Sequence, residues 1–255
     1  MKSALFIFPH YDDEIFALSR LHFELQRGNQ PICVFLIDGG HIREIESTKC
    51  LFLSGIRNQS QIIFIGKELR VIDGHLPERL SETFRILIPI LSHRISRIYC
   101  PAWEGGHQDH DASHLLGVAL ARHFSLLNEC FQYFTYNGYR TYGKFFRVAY
   151  PMTASGTLSR KISRLDGIKI ACRVRFYPSQ WKTWLGLFPP LLLHYLIKPE
   201  ESLRAVSFPA LTQRPHPGKL LYERYRRCSF EQFCSFTNDF LNDHVLESRR
   251  EFQSP

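Results

Sequence analysis

None of the seven cysteines forms a C-x-x-C pair; they stand scattered at 33, 50, 100, 130, 172, 228 and 234. Several sit inside apolar runs, such as Ile32-Cys33-Val34 and Tyr99-Cys100-Pro101. An odd, scattered set of this kind reads as buried free thiols in a reducing compartment and argues against a cysteine-built zinc site. Long apolar runs are missing too. Lys2 is followed by only six apolar or small residues before Pro9, too short a stretch for a secretory leader, so a cytoplasmic protein is expected. The most apolar later segment, Trp184 to Ile197, is interrupted by Gly186, Pro189-Pro190 and His194. It is too short and too broken to span a bilayer; a buried helix and loop is expected there, with contact with a membrane surface left open as the less favoured alternative. Acids are in the minority, 24 against 32 Lys and Arg, for a net charge of +8. A basic surface suits nucleic acid, membrane head groups or a phosphorylated substrate, and is equally read as a merely solvated face. The bases thicken late in the chain, at Arg173, Arg175, Arg214, Lys219, Arg224, Arg226 and Arg227.

What is present is globular in composition, 44% apolar and 14% aromatic. Strand-like runs at 4–8, 32–37, 61–66 and 95–100 alternate with helical patterns. The helices begin at Ile15, cover Arg43 to Leu53, extend roughly twenty residues from Pro77, and occupy 112–124. That alternation predicts an α/β fold with a Rossmann-like, doubly wound, mostly parallel sheet. Beyond residue 130 the pattern predicts strands over 131–136 and 145–150, then a basic amphipathic helix over 157–171. A proline- and aromatic-rich C-terminal elaboration that walls the site would follow. With no internal repeat or low-complexity linker, one domain over 1–255 is expected, an α/β core over 1–125 and remaining strands and cap elements over 126–255.

His10-Tyr11-Asp12-Asp13-Glu14 places one histidine and three acids at the end of the first strand, where open α/β sheets bind ligands. Adjacent carboxylates repel unless a cation lies between them. Imidazole with carboxylate and no thiolate suits zinc or another borderline divalent metal. A blander reading makes Asp12, Asp13 and Glu14 helix-capping and first-turn acids, with His10 an ordinary loop residue. Trp103-Glu104-Gly105-Gly106-His107-Gln108-Asp109-His110-Asp111 weighs against it, because this second ligand-rich loop follows the fourth strand in the same topological place. Gly105-Gly106 gives that loop the backbone freedom to turn its histidines inward.

Pro9-His10-Tyr11-Asp12-Asp13-Glu14 and His107-Gln108-Asp109-His110 together resemble the (P/A)-H-P-D-D-E and H-P-D-H motifs of the PIG-L/LmbE-like family of metal-dependent N-acetyl-sugar deacetylases. Arg43 and Glu46 match an R-x-x-E on the second helix, and Asp73-Gly74 a D-G after the third strand; the likeness covers about residues 1–125. It implies a zinc ion, with iron(II) as competitor, held by His10, Asp13 and His110 with a position left open for water. It implies Asp12 as general base, His107 as oxyanion donor or acid with Asp109 orienting it, and Arg43 and Asp73 as substrate-binding residues. Taken alone, Arg43 also reads as a surface residue paired with Glu44 or Glu46, and Asp73 as a turn residue before glycine. The implied reaction is hydrolysis of the N-acetyl group of a GlcNAc-type amino sugar on a nucleotide, lipid or phosphate carrier, releasing acetate and a free amine.

There are departures. Tyr11 and Gln108 replace the usual prolines, and Gly105 stands where the family often has tyrosine or an acid, so a transition-state contact there is absent or comes from Glu104. Glu14 reads as a helix-start or supporting residue, His114 as a surface or supporting histidine, and Ser179, Gln180, His216 and Lys219 as pocket candidates. The expected partner is a small N-acetylated sugar or glycoconjugate, with no nucleic acid. The rivals are an amidase of the same fold acting on another amide, such as a thiol conjugate, and a basic polyanion-binding protein that keeps its metal only as structure. Nothing in the sequence fixes the oligomeric state.

Overall fold

The computed structural model describes residues 2–91 and 95–246. β1 (Ser3–Phe8) is buried along its whole length and lies between β2 (Gln30–Phe35) and β4 (Ile95–Pro101). β3 (Ile62–Phe64) closes the sheet beyond β2, while β5 (Cys130–Tyr133), β9 (Glu200–Ala205) and β8 (Thr157–Lys161) follow β4 in that order. The first five strands are parallel; β9 runs against them, and β8, paired antiparallel with β9, runs in their direction. The Rossmann-like, mostly parallel sheet expected from the sequence is what forms.

Side chains alternate along a strand, so β1 feeds two cores. Leu5 and Ile7 pack with α4 (Leu80–Leu91), α5 (Gln108–His123) and α9 (Phe230–Leu241) on one face. Ala4, Phe6 and Phe8 pack on the other with α1 (Glu14–Gln26), α2 (Gly40–Leu53), α6 (Arg164–Ala171) and α7 (Trp181–Ile197). The chain winds outward from β1 to β3 and then returns across β1 to β4. The strand order therefore reverses between β1 and β4, opening a crevice at their C-terminal ends. Both ligand-rich loops leave the sheet there.

The C-terminal half departs from its sequence pattern. The helix expected over 157–171 is a strand followed by a short helix, because Thr157–Lys161 pairs antiparallel with β9 and Arg160 joins Glu201 across the pair at 3.0 Å. Cross-strand pairing outweighs the local period there. The strand expected at 131–136 ends at Tyr133; Tyr136–Asn137 (β6) turns away to pair with Arg147–Val148 (β7), all that remains of the strand expected at 145–150. Trp184 to Ile197 is not a helix and loop but part of one continuous helix, α7, with Pro189 and Pro190 inside it. The carbonyls those prolines cannot serve belong to Leu185 and Gly186, both exposed residues. The expected third strand is shortened by α3 (Ile65–Leu69), and the helix from 77 begins as a tighter turn over Leu76–Arg79. Its expected course through 92–94 falls outside the described residues.

α3 sits so close to the end of β2 that a Cβ at Gly66 would stand 2.4 Å from the carbonyl carbon and oxygen of Leu36. Backbone cannot move aside as a side chain can. Gly66→Ala is expected to cost about 3 kcal/mol of stability, measured as a fall in denaturation midpoint at unchanged slope.

Candidate metal centre

Asp13 occupies the N-cap position of α1 but its side chain caps nothing. Its Oδ2 accepts the His10 backbone N–H at 2.9 Å and lies 3.0 Å from His10 Nδ1 and 3.2 Å from His110 Nε2. Asp12 has a φ of 122°, a region costly for any residue but glycine. Buried Glu14 holds that turn by accepting the Asp12 backbone N–H at 2.9 Å and the Tyr177 hydroxyl. The turn sends neighbouring carboxylates in different directions. Asp13 faces the histidines, while Asp12 accepts from Arg43 Nη2 at 3.2 Å and Trp184 Nε1 at 3.1 Å. Asp13 and Glu14 do stand at the N-cap and in the first turn of α1, as the helix-capping reading has it, but their side chains are turned to other partners.

His110 is fully buried on the first turn of α5. Its Nδ1 meets Thr135 Oγ1 at 3.0 Å, and Thr135 in turn donates to Glu104 Oε1 at 2.9 Å. With the hydroxyl proton directed at Glu104, Thr135 accepts from Nδ1–H, so the lone pair of His110 lies on Nε2. That nitrogen is buried without a hydrogen-bond partner: Asp13 is near enough but badly aligned. A bare imidazole lone pair, fixed in tautomer by a carboxylate-backed partner and facing a buried carboxylate, is the arrangement of a metal-ligating histidine. His10, Asp13 and His110 bring their ligand atoms within 4.8 Å of one another. Burial acts to lower the His10 pKa, but hydrogen bonds to Asp109, Asp13 and Asp73 outweigh it and hold it well above the ordinary value. The cluster thus favours positive charge at its centre.

A second group, His10, Asp73, His107 and Asp109, satisfies the same distance criterion. Its donors are already engaged. Asp109 accepts backbone N–H groups from Gly74 at 2.6 Å and Leu76 at 3.1 Å, and lies 3.2 Å from His10 Nε2. Asp73 Oδ1 shares that nitrogen at 3.1 Å. The Arg227 guanidinium rests against His107 Nε2 and 3.5 Å from Asp73, where it would repel a second cation. These carboxylates are placed to orient His10 by its far nitrogen, and the His10, Asp13 and His110 group fits a divalent cation better.

The geometry also revises two expectations. Asp109 does not orient His107 through its carboxylate, which stands 3.7 Å from Nδ1 and serves His10. Instead the Asp109 backbone N–H donates to His107 Nδ1 at 3.2 Å, while the Arg227 guanidinium, a donor only, faces Nε2. Burial, reinforced by His10, His110 and Arg227, lowers the His107 pKa to about 3, so the ring is neutral. Glu104 supplies no contact in the cleft; it is buried behind His110, bonded to Thr135 and Asn137. Asp111 folds the 104–106 loop by accepting the backbone N–H groups of Glu104 and Gly105 at 3.2 and 3.1 Å. Gly106 lets the Tyr136 carbonyl approach where a Cβ would be 2.0 Å away.

His10, Asp12, Asp13, Arg43, Asp73 and His107 all line one cleft of about 120 Å³. Arg43 pairs with neither Glu44 nor Glu46; it donates to Asp12 and, at 2.6 Å, to the Tyr11 carbonyl. Glu46 instead holds the backbone and hydroxyl of Ser179. Of the C-terminal candidates, Gln180 lines the cleft, Lys219 lines a separate groove, and His216 is buried with its Nδ1 on the Pro217 carbonyl. His114 is a core residue, not a surface one, bonded to the Pro101 carbonyl at 2.8 Å. Trp184, Leu187, Tyr136 and Arg227 also line the cleft. Sequence reasoning missed these four as site residues: three lie in apolar runs, and Arg227 was counted with the basic face. Burial, with Asp13 adding to it, pushes the Asp12 carboxyl up to about 8.

No family model matches the chain, and no curated protein matches it by sequence. Solved structures do. A deacetylase from the biosynthesis pathway of teicoplanin superposes with a TM-score of 0.59 at 14% identity, over 81% of this chain and 99% of that one. A zinc-inhibited form of teicoplanin deacetylase gives 0.57 at 14% identity, over 80% and 97%. The N,N'-diacetylchitobiose deacetylase of Pyrococcus horikoshii gives 0.51 at 17% identity, over 80% and 83%. At these identities the likeness is one of fold.

Metal content separates the two candidate clusters. His110→Ala is expected to abolish stoichiometric binding of a divalent metal, and His107→Ala to retain it, as read by elemental analysis after gel filtration. Thr135→Val, which removes the acceptor from His110 Nδ1, should weaken the metal by about 10- to 100-fold in chelator competition.

Proposed function

We propose that this chain is a metal-dependent N-deacetylase that hydrolyses the N-acetyl group of a GlcNAc-type amino sugar, releasing acetate and a free amine. The observation that carries this reading is the division of labour between consecutive carboxylates. Asp13 faces two histidines, while Asp12 is held at the cleft wall with no ligand to complete. A purely structural metal site has no use for the second. Likeness in fold to proteins named as deacetylases supports the same reading.

His10, Asp13 and His110 would hold zinc, and iron(II) suits the same donor set. When bound, the cation supplies Lewis acidity, polarising the acetamide carbonyl and acidifying the attacking water. Asp12, steadied by Arg43 and Trp184, takes that water's proton and returns it to the leaving amine. His107 faces the developing oxyanion, and Arg227, resting against its Nε2, adds N–H donors and positive charge at the same place. Asp109 keeps His10 in register. Asp73, more than half exposed at the mouth, takes a sugar hydroxyl, and Arg43 borders the same space while it orients Asp12.

Asp12→Asn is the direct test. It is expected to keep its metal and lose about 10²- to 10⁴-fold in acetate release. The assay uses free, nucleotide-linked and lipid-linked N-acetylglucosamine with zinc- and iron-loaded enzyme, and the best substrate names the carrier. Metal-loaded wild type that releases amine only from a thiol conjugate would make it an amidase of that class. Unchanged turnover in Asp12→Asn would remove Asp12 from the chemistry.

A further inference from the structure

α7 is apolar on both sides. Trp184, Leu187, Leu191 and Tyr195 are buried against the body of the protein. The opposite face leaves Trp181 59%, Leu185 71%, Leu193 54%, Leu196 43% and Ile197 66% exposed. A helix apolar all round requires cover on both faces, and a stripe of this kind is rare on a free surface. Exposed Lys182 and Lys198 stand at its two ends. The β6–β7 loop adjoins it, with Phe146 beside Gly186. That loop projects Tyr142, 89% exposed, and Phe145, 78% exposed, among the exposed cations Arg140, Lys144 and Arg147.

Charge identifies the cover. From residue 130 to 198 the chain carries eleven Lys and Arg against a single acid, Asp166. That excess of ten exceeds the net +8 of the whole protein, so the rest of the chain is net acidic. The positive charge is concentrated in the segment that holds the exposed apolar groups. A nucleic acid would pair with the cations and leave Leu185, Leu193 and Ile197 wet. A second copy would bring an equally cationic segment against this one. An anionic bilayer satisfies both features: aliphatic and aromatic side chains enter the headgroup–acyl boundary while Lys and Arg meet lipid phosphates.

We propose that α7 and the 138–146 loop dock this protein on an anionic membrane surface. The other side of α7 walls the cleft with Thr183, Trp184 and Leu187, so docking sets the mouth of the site beside the lipid headgroups. No described helix is long and apolar enough to cross a membrane, and the contact is peripheral. The sequence alone left such a contact open without favouring it, because the run looked broken at its prolines; a continuous helix with one face uncovered alters that. Docking is independent of which amide the cleft hydrolyses.

Sedimentation of the full chain with sucrose-loaded vesicles tests this without any assay of activity. The protein is expected to pellet with phosphatidylglycerol-containing vesicles and to remain largely in solution with pure phosphatidylcholine. Release by salt should follow, since exposed charges are screened. Leu185→Glu with Leu193→Glu, both at exposed positions, is expected to bind at least about tenfold more weakly at unchanged circular dichroism and melting temperature. Lys144→Ala with Lys182→Ala should lose about fivefold per lysine on anionic vesicles. Wild type that stays in solution with both vesicle types would overturn the proposal, as would a double glutamate variant that binds like wild type. A wild-type dimer that ignores vesicles and dissociates in the glutamate variant would assign the face to a second copy instead.

Discussion

Two carboxylates on consecutive residues repel, and burying both without a cation between them is unfavourable. At residues 12 and 13 the chain keeps both buried by a backbone turn that no ordinary sequence would choose, with Asp12 at positive φ. Three partners hold that turn. Glu14 grips its amide, Arg43 its carbonyl side at Tyr11, and Trp184 the outer oxygen of Asp12. If Asp12 relaxed to ordinary helical backbone, the direction of both carboxylates would change, and His10 and His110 would lose the acid they face. The strain is therefore local, and its support comes from neighbouring Glu14 and from two distant residues, Arg43 and Trp184.

The placement of the site was legible because it follows from topology. Apolar runs alternating with helical patterns dictate a doubly wound sheet, and a doubly wound sheet binds at its reversal point. His10, Asp13, His107 and His110 fall there by spacing alone. Their division into ligands and supports came from the family resemblance alone, because physically it depends on which nitrogen of each ring is free. For His110 that is fixed by Thr135 and Glu104, and His107 meets the Asp109 amide and Arg227, contacts between residues with no pattern in the sequence. Asp109 shows the difference well: its motif position predicts a partner for His107, and its geometry makes it one for His10.

Beyond residue 130 local pattern was a poor guide, since the elements there are defined by what they cover. Thr157–Lys161 carries no strong strand signal and becomes a strand because β9 offers an edge. α7 carries two prolines that would end a helix elsewhere, yet it continues, and the carbonyls they orphan belong to exposed residues, Leu185 and Gly186. Tyr177, Ser179 and Trp184 each reach an acid of the N-terminal core, at Glu14, Glu46 and Asp12. The elaboration walls the cleft and also completes the hydrogen bonding of its carboxylates.

The link between Asp12 and Trp184 spans 172 residues of chain. A chain still emerging from the ribosome can complete β1 to β5, with both ligand-rich loops in place, before the indole that secures Asp12 has been synthesised. In that interval Glu14, Glu46 and Asp12 lack Tyr177, Ser179 and Trp184, and each of these closures carries the entropy of a long loop. The candidate site is thus complete only when the last third of the polypeptide folds back over the first.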